Sequence, residues 1–366
     1  MKYFSTFSGI GGFERGMDLA YESLCNAHGG ENRGSKENQE GNQRQRLFST
    51  EGKDAHTTEG SASERATNIT HERPLCVGYS EIDKYAVQIY QKHFPNHKNY
   101  GDITTIDEHS LPDFDLLCGG FPCQSFSIAG KRKGFEDTRG TLFFDLARIL
   151  KAKQPRLFLF ENVKGLLSHD GGRTFKTIIF TLDELGYDLQ WQIINSKNHG
   201  VPQNRERVFI IGHLRGTRRP EVFPFYEANP EDIQSKQAQT VNCIDANYHK
   251  GIDNHGQRTA VIIPEATKQG YALAYEGDSI NLSVPNSSTP RGRVGKGIAQ
   301  TLDTGMQQYT FYKGRVRRLI PLECERVQAF PDNWTDGESD RQRYKMIGNA
   351  VTVNVIRDII SKMLYA

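Results

Sequence analysis

Apolar residues run along this chain in short β-prone bursts that alternate with stretches of helical spacing. Tyr3 to Phe7 is such a burst; it ends in Ser8-Gly9-Ile10-Gly11-Gly12-Phe13, and Glu14 to Leu24 then has helical composition. The order is strand, glycine turn, helix. Leu75 to Tyr79 predicts a second strand, followed by Glu81-Ile82-Asp83 and a helix from Lys84 to His93 that Pro95 terminates. Phe114 to Cys118 predicts a buried strand that runs into Gly119-Gly120-Phe121-Pro122-Cys123. In Thr138 to Lys151 the residues Leu142, Phe143, Leu146, Ile149 and Leu150 fall at amphipathic helical spacing. Arg156 to Phe160 is a near-continuous apolar run, the mark of a strand buried on both faces, with Glu161-Asn162-Val163 at its carboxyl end. A helix over Thr174 to Leu185 leads to strand material at Leu189 to Ile194 and again at Val208 to Gly212. Their short connection favours an antiparallel hairpin. The fold class is therefore α/β, with a mostly parallel sheet and one antiparallel strand.

Two stretches break this rhythm. From about Asn26 to His71 the chain is Gly, Ser, Thr, Asn, Gln and charged residues with hardly any aliphatic side chains, a composition that cannot offset its ordering entropy by burial. It reads as a flexible polar insertion over about residues 26–74; Arg44, Arg46 and Lys53 allow a binding arm as the alternative. Between about Leu214 and Tyr312 the βα alternation stops, and only short β-prone pieces such as Thr259 to Ile263 remain. The expected organisation is a first domain over 1–213, a smaller loop-rich domain over 214–312, and a segment over 313–366 that returns to the first domain. In that last segment helical patterning covers Arg317 to Phe330, and Gly348-Asn349-Ala350-Val351 opens a final helix to about Leu364.

Composition narrows the function classes. A chain of 366 residues with 36% hydrophobic and 25% charged residues can bury a substantial core. No apolar run is long enough to span a bilayer, so a soluble, cytoplasmic protein is expected. The six cysteines show no C-x-x-C pair and no His/Cys cluster of metal-ligand spacing, so neither a disulfide framework nor a metal site is expected. A net charge of +2 does not announce a nucleic acid by itself. Basic residues do gather locally, at Lys131 to Lys133, Arg215 to Arg219, Arg291 to Lys296, Lys313 to Arg318 and Arg341 to Lys345. Singly these are solvated surface; together they permit a phosphate-binding face.

Three features carry chemistry. A glycine turn between a first strand and a first helix lets a ligand approach the backbone and the free N–H groups of the helix start. An acidic residue after the next strand can bond both ribose hydroxyls of a nucleoside cofactor, and Glu81 takes that position once the insertion is discounted, restoring a gap of roughly 20 residues. Read alone, Glu81 would equally be a carboxylate at a helix start. Cys123 follows a proline and a buried strand, so it lies at the carboxyl edge of the sheet, where open α/β folds bind ligands. Most cysteines are inert core residues, and Cys25, Cys76, Cys118, Cys243 and Cys324 take that reading. Cys123 differs because Glu161, at the end of a neighbouring strand, would face the same crevice.

Phe7 to Phe13, Gly101-Asp102-Ile103, Phe121-Pro122-Cys123-Gln124, Glu161-Asn162-Val163, Gln203-x-Arg205-x-Arg207 and Gly348-Asn349-Ala350-Val351 together resemble the ordered motif set of bacterial-type DNA (cytosine-5)-methyltransferases, the restriction-modification type. The resemblance covers residues 1 to about 25, 76 to 213 and 314 to 366. It implies a Rossmann-like, S-adenosylmethionine-dependent methyltransferase fold whose smaller loop-rich domain recognises the target. It implies transfer of a methyl group from S-adenosyl-L-methionine to C5 of a flipped cytosine in a specific double-stranded DNA sequence, through a covalent bond from Cys123 to C6. The family pattern assigns Glu161 to cytosine N3 and Arg205 to the base through O2, with Arg207 and Asn162 supporting the site. Gln124 begins a loop, to Gly140, that closes on DNA. For the cofactor the pattern implicates Phe7, Gly9, Ile10, Gly11, Gly12, Glu81, Ile82, Asp102, Ile103, Asn349 and Val351. Ser5 departs from the acidic residue common at its place, which removes one expected contact to the methionine end of the cofactor.

Competing readings keep parts of this picture. The same chemistry on RNA goes with a much smaller recognition region than 214–312, and a DNA-binding relative that has lost catalysis would not need Cys123, Glu161 and Arg205. A zinc deaminase needs a P-C-x-x-C set that Pro122-Cys123 does not complete. Double-stranded DNA is the expected partner, a restriction endonuclease of the same system is a candidate second one, and the chain is read as a monomer without membrane contact.

Overall fold

The computed structural model describes residues 1–29, 72–122, 142–225, 260–283, 292–305, 307–312 and 315–365. Its centre is a six-stranded sheet built from β1 (Lys2–Thr6), β2 (Leu75–Ser80), β3 (Leu116–Gly120), β4 (Leu157–Val163), β5 (Tyr187–Asn195) and β7 (Glu206–Leu214), in the order β2-β1-β3-β4-β7-β5. The pairs β1/β2, β1/β3 and β3/β4 are parallel, while β7 runs antiparallel to both β4 and β5. This is the mostly parallel sheet with one antiparallel strand expected from the pattern. The apolar runs are buried on both faces: Phe4, Leu116, Leu117, Cys118 and every residue from Leu157 to Phe160 have no solvent exposure.

Helices cover each face. On one side lie α1 (Gly12–Gly29) and the C-terminal helix α7 (Val353–Tyr365), which meet through Phe13, Met17 and Ala20 against Val355, Ile356 and Ile359. Their axes approach closely at Gly16, where a Cβ would lie 2.5 Å from Ile356 Cβ. On the other side lie α3 (Leu142–Lys153) and α4 (Arg173–Glu184), which bury Phe143, Leu146, Ile149, Leu150, Ile178 and Leu182. Each such side chain contributes about 1.5–3 kcal/mol of transfer free energy, so the two layers fix the sheet from both sides. A third cluster joins α2 (Lys84–His93) to α5 (Pro321–Val327) and α6 (Asp340–Asn349) through Ile89, Cys324, Trp334, Tyr344 and Ile347.

The loop-rich part consists of small sheets. Strands β10 (Ser279–Asn281), β11 (Val294–Gly295), β13 (Gln308–Tyr312) and β14 (Arg315–Arg318) form one of four strands, and β8 (Val261–Pro264) pairs with β9 (Tyr271–Ala274). It is sewn to the large domain where β12 (Ala299–Gln300) pairs in parallel with β6 (Gln203–Asn204).

Several boundaries differ from the sequence expectations. Helix α1 continues to Gly29, so residues 26–29 are helical and do not belong to the polar insertion; residues 30–71 lie outside the described residues. A boundary at 312/313 cuts through the β13/β14 hairpin, because Arg315 to Arg318 pair with Tyr309 to Tyr312. Helical structure after that begins only at Pro321, in the first turn where its missing N–H costs nothing. Gly348 and Asn349 end helix α6 and do not open the last one, which starts at Val353. Helix α6 itself carries few apolar residues, and its pattern gave no signal.

Candidate active site

Strand order reverses between β2-β1 and β3-β4, so a crevice opens beyond the carboxyl ends of β1 and β3. Described residues lining it include Phe7, Gly9, Ile10, Gly12, Glu161, Asn349 and Val351. The turn after β1 is built from left-handed backbone, with φ of 50° at Phe7, 54° at Gly9 and 86° at Gly11. Gly11 is needed twice over, since a Cβ there would also lie 2.5 Å from Phe94 Cε2. Gly11 therefore faces α2 and packs the turn against it. Gly9 N–H donates to Glu81 Oε2 at 2.8 Å, and Glu81 Oε1 accepts from the backbone N–H groups of Ile82 and Asp83, both at 2.8 Å. Glu81 thus fixes the turn and the start of α2 at once, and Ile82 beside it is 71% exposed.

Asp102 accepts from the Thr104 amide at 2.9 Å and its hydroxyl at 2.8 Å, and stands at the surface. Ile103, expected beside the cofactor, is buried and packs in the core cluster that holds Phe4 and Phe114. Ser5 is buried and accepts from the Ser8 hydroxyl at 2.9 Å.

The other end of the crevice is carried by β4. Glu161 lies between Gly120 of β3 and Phe209 of β7, and its carboxylate meets Arg207 Nε at 2.9 Å. Gly120 makes the room: a Cβ at that position would come within 2.7 Å of Glu161 Oε2. Asn162 is buried and donates to Phe121 O at 2.8 Å, so it orients the strand exit that leads to Pro122. Phe121 is anchored between the rings of Phe143 and Phe160. Cys123, Gln124 and the loop expected to close on DNA lie outside the described residues.

Arg205 and Arg207 differ in what they contact. Arg205 is 2% exposed, and its guanidinium donates to Leu302 O at 3.0 Å, Gly348 O at 3.1 Å and Ala350 O at 2.8 Å. Burial first, and then the neighbouring Arg207 charge, push it down to about 9, still charged at neutral pH. Those donors are committed to main chain, which removes Arg205 from the position against the base that was expected of it; Arg207 is the arginine that faces Glu161. Gln203, quoted only as part of the motif, works like Arg205: its side chain donates to Val327 O at 2.9 Å and accepts from Leu302 N at 3.2 Å. Gly120 was also missed, since only the three-dimensional approach of Glu161 reveals its role.

A glycine turn and the Glu161 carboxylate line one crevice at the switch point of the sheet, which makes the chain an α/β protein with its ligand site where open α/β folds place it. Residues 64–365 match the family described as C-5 cytosine-specific DNA methylase. The chain is 38% identical over 310 residues to the Type II methyltransferase M1.ScrFI of Lactococcus lactis subsp. cremoris, covering 80% of this chain and 73% of that one. It is 36% identical over 296 residues to the Type II methyltransferase M.HhaI of Haemophilus parahaemolyticus, covering 78% and 86%. Two solved structures share the fold: a Spodoptera frugiperda DNMT2 mutant, with TM-score 0.51, 17% identity and coverage of 100% and 99%, and the S. pombe Dnmt2 methyltransferase, with TM-score 0.52, 16% identity and coverage of 99% and 97%. The chain belongs to the C-5 cytosine-specific DNA methylases and is a DNA (cytosine-5) methyltransferase, as its motifs led us to expect. Among the described residues no helix is long and apolar enough to cross a membrane.

Proposed function

We propose that the protein methylates C5 of a flipped cytosine in a specific duplex DNA sequence, with S-adenosyl-L-methionine as cofactor and Cys123 as a transient covalent catalyst. The observation that carries this reading is that Glu161, paired with Arg207, lines the same crevice as the Gly9–Gly12 turn. Base and cofactor sites would then share one wall.

The crevice suits the cofactor. Glu81 keeps acceptor capacity for ribose hydroxyls beyond the three amides it already takes, Ile82 offers an exposed apolar surface for the adenine, and Asn349 and Val351 close the far side. Bound there, S-adenosylmethionine supplies an electrophilic methyl group to C5. The chain's residues make C5 able to accept it. The Cys123 thiolate forms a bond to C6, which turns C5 into an enamine-like carbon. Loss of the C5 proton after methylation then breaks the C6–S bond and returns the thiolate. Glu161 contacts N3 and draws electron density from C6. Arg207, not Arg205, holds the base through O2, because its guanidinium is the one in contact with Glu161.

Not every thiol could do this. Burial raises the Cys118 thiol well above its ordinary range and pushes Cys76 and Cys324 up to about 12, so these are inert core groups. Residues 214–312 serve as the recognition region, and their length favours DNA over RNA. The enzyme would act as a cytoplasmic monomer, beside a cognate endonuclease.

The test is transfer of labelled methyl groups from S-adenosylmethionine, measured side by side on duplex DNA and transfer RNA. Label should enter DNA only, and Cys123→Ser should abolish transfer while retaining specific DNA binding. Full activity of that variant would sink the mechanism.

A further inference from the structure

The cofactor crevice is held from outside by one stretch of the C-terminal segment, which grips α2 at both ends. At the start of α2, Asp83 caps the Tyr85 and Ala86 amides with one carboxylate oxygen and receives Lys345 Nζ on the other at 2.7 Å. At its end, Lys92 Nζ donates to Asp336 O at 3.0 Å, and His93 Nε2 lies 2.8 Å from Trp334 O. The Trp334 ring stacks on His93 with centroids 3.6 Å apart and planes 7° from parallel, and it is 7% exposed. Its indole N–H then reaches past α2 and donates to Ile10 O at 2.8 Å, inside the glycine turn. That turn, although Glu81 holds one end of it, is built from unfavourable backbone. It has three residues at positive φ, one of them Phe7, which has a side chain to strain there.

We propose that Trp334 is a positioning residue for the cofactor: its N–H fixes the Ile10 carbonyl and so keeps the Gly9–Gly12 turn in the conformation that binds. The proposal rests on the reading that this crevice takes S-adenosylmethionine. Trp334 does not line the crevice, and its effect passes through the turn. A turn that holds its binding shape only part of the time lowers the apparent affinity by that fraction. Loss of one buried hydrogen bond should therefore weaken cofactor binding by about 5- to 20-fold. The turnover rate at saturating cofactor should change less than about twofold, because bound ligand restores the turn.

Titration calorimetry of S-adenosylmethionine with the full-length protein, well below its melting temperature, compares wild type with Trp334→Phe, which keeps an aromatic ring and removes only the donor and some area. The chain has two tryptophans, so Trp191→Phe leaves Trp334 as the sole indole and makes its emission a direct reporter. Weaker binding by Trp334→Phe, together with an emission change on adding cofactor to Trp191→Phe, is the expected result. Wild-type affinity in Trp334→Phe, or an emission unmoved by saturating cofactor, overturns the proposal. Should Trp334→Phe fail to fold, the emission arm decides alone. If the wild type itself takes up no S-adenosylmethionine, the cofactor reading is what fails.

Discussion

Arg205 and Arg207 stand two positions apart, yet they belong to two different regions. Arg205 is at a junction: β6, the segment just after β12 in the loop-rich part and the end of helix α6 meet there, and its guanidinium donates to carbonyls from the latter two. Arg207 is at the rim of the sheet, 15% exposed, with a carboxylate as its partner. The junction uses charge as a staple, with every acceptor a main-chain group that no other residue type could reach in a fork geometry. On the proposed mechanism the rim would use charge as chemistry, since the partner of Arg207 is a carboxylate in the crevice wall. An arginine in a motif is thus not evidence of substrate contact until its acceptors are known.

The largest expected effect lies at the junction. Arg205→Met should destabilise the protein by about 3–5 kcal/mol, because it strands the three buried carbonyls that the guanidinium serves. Gln328 Nε2 already approaches Ala350 O at 3.4 Å and would recover part of this. Thermal and urea melts read it directly. At the rim, Arg207→Met should lower kcat/KM by about 100-fold, as removal of a donor to developing charge does elsewhere. Its melting point should fall less than that of Arg205→Met, since the Arg207–Glu161 pair is partly exposed and water can reach the carboxylate once its partner is gone. If the two variants behaved alike in both assays, the distinction between staple and chemistry would be lost.

Much of this was legible in the sequence, and the part that was not has a common cause. The sheet and its antiparallel strand followed from apolar runs such as Arg156 to Phe160, because burial on both faces leaves a one-dimensional trace. The place of Glu81 beside the glycine turn, though not its expected contact with ribose, followed from its distance to that turn once the polar insertion was removed. Trp334, Gly120 and the true acceptors of Arg205 left no such trace. The Trp334 bond to Ile10 spans 324 positions, and the role of Gly120 depends on a carboxylate one strand away. Helix α6 was missed because its stability comes from Tyr344, Met346 and Ile347 packing on distant elements and not from a local stripe.

A buried acid sharpens the same comparison with opposite charge. Glu14 on α1 is 1% exposed; it accepts from the Tyr90 hydroxyl at 3.0 Å, and among the described residues its second oxygen has no partner. Burial pushes its carboxyl up to about 7, against hydrogen bonds from Ser5 and Tyr90. Between its ordinary 4.5 and about 7 the folded protein holds a proton that the unfolded chain releases. Its contribution is therefore complete below the lower value and is lost as pH rises through the upper one, by at most about 3 kcal/mol. Glu14→Gln should remove that slope and raise the melting temperature at pH 8. An unchanged slope would mean that the acid is ionised in the fold.

The smallest effect belongs to the seam between the two regions, where Arg317 of β14 makes a two-pronged pair with Glu323 at 2.7 and 2.8 Å. The geometry resembles a staple, but the side chains are 40% and 28% exposed, so water competes for both charges. The hydrogen bonds from Arg317, and then the Ile320 amide and the Arg317 charge, hold the Glu323 carboxyl below its usual range against its burial, and solvent screening discounts what that shift contributes. Arg317→Gln should cost no more than about 1 kcal/mol, and less in high salt. Glu323 would keep its bond from the Ile320 amide at 2.9 Å, which caps α5 without any help from the arginine. A loss as large as that of Arg205→Met would show that bidentate geometry, and not burial, makes an arginine into a staple.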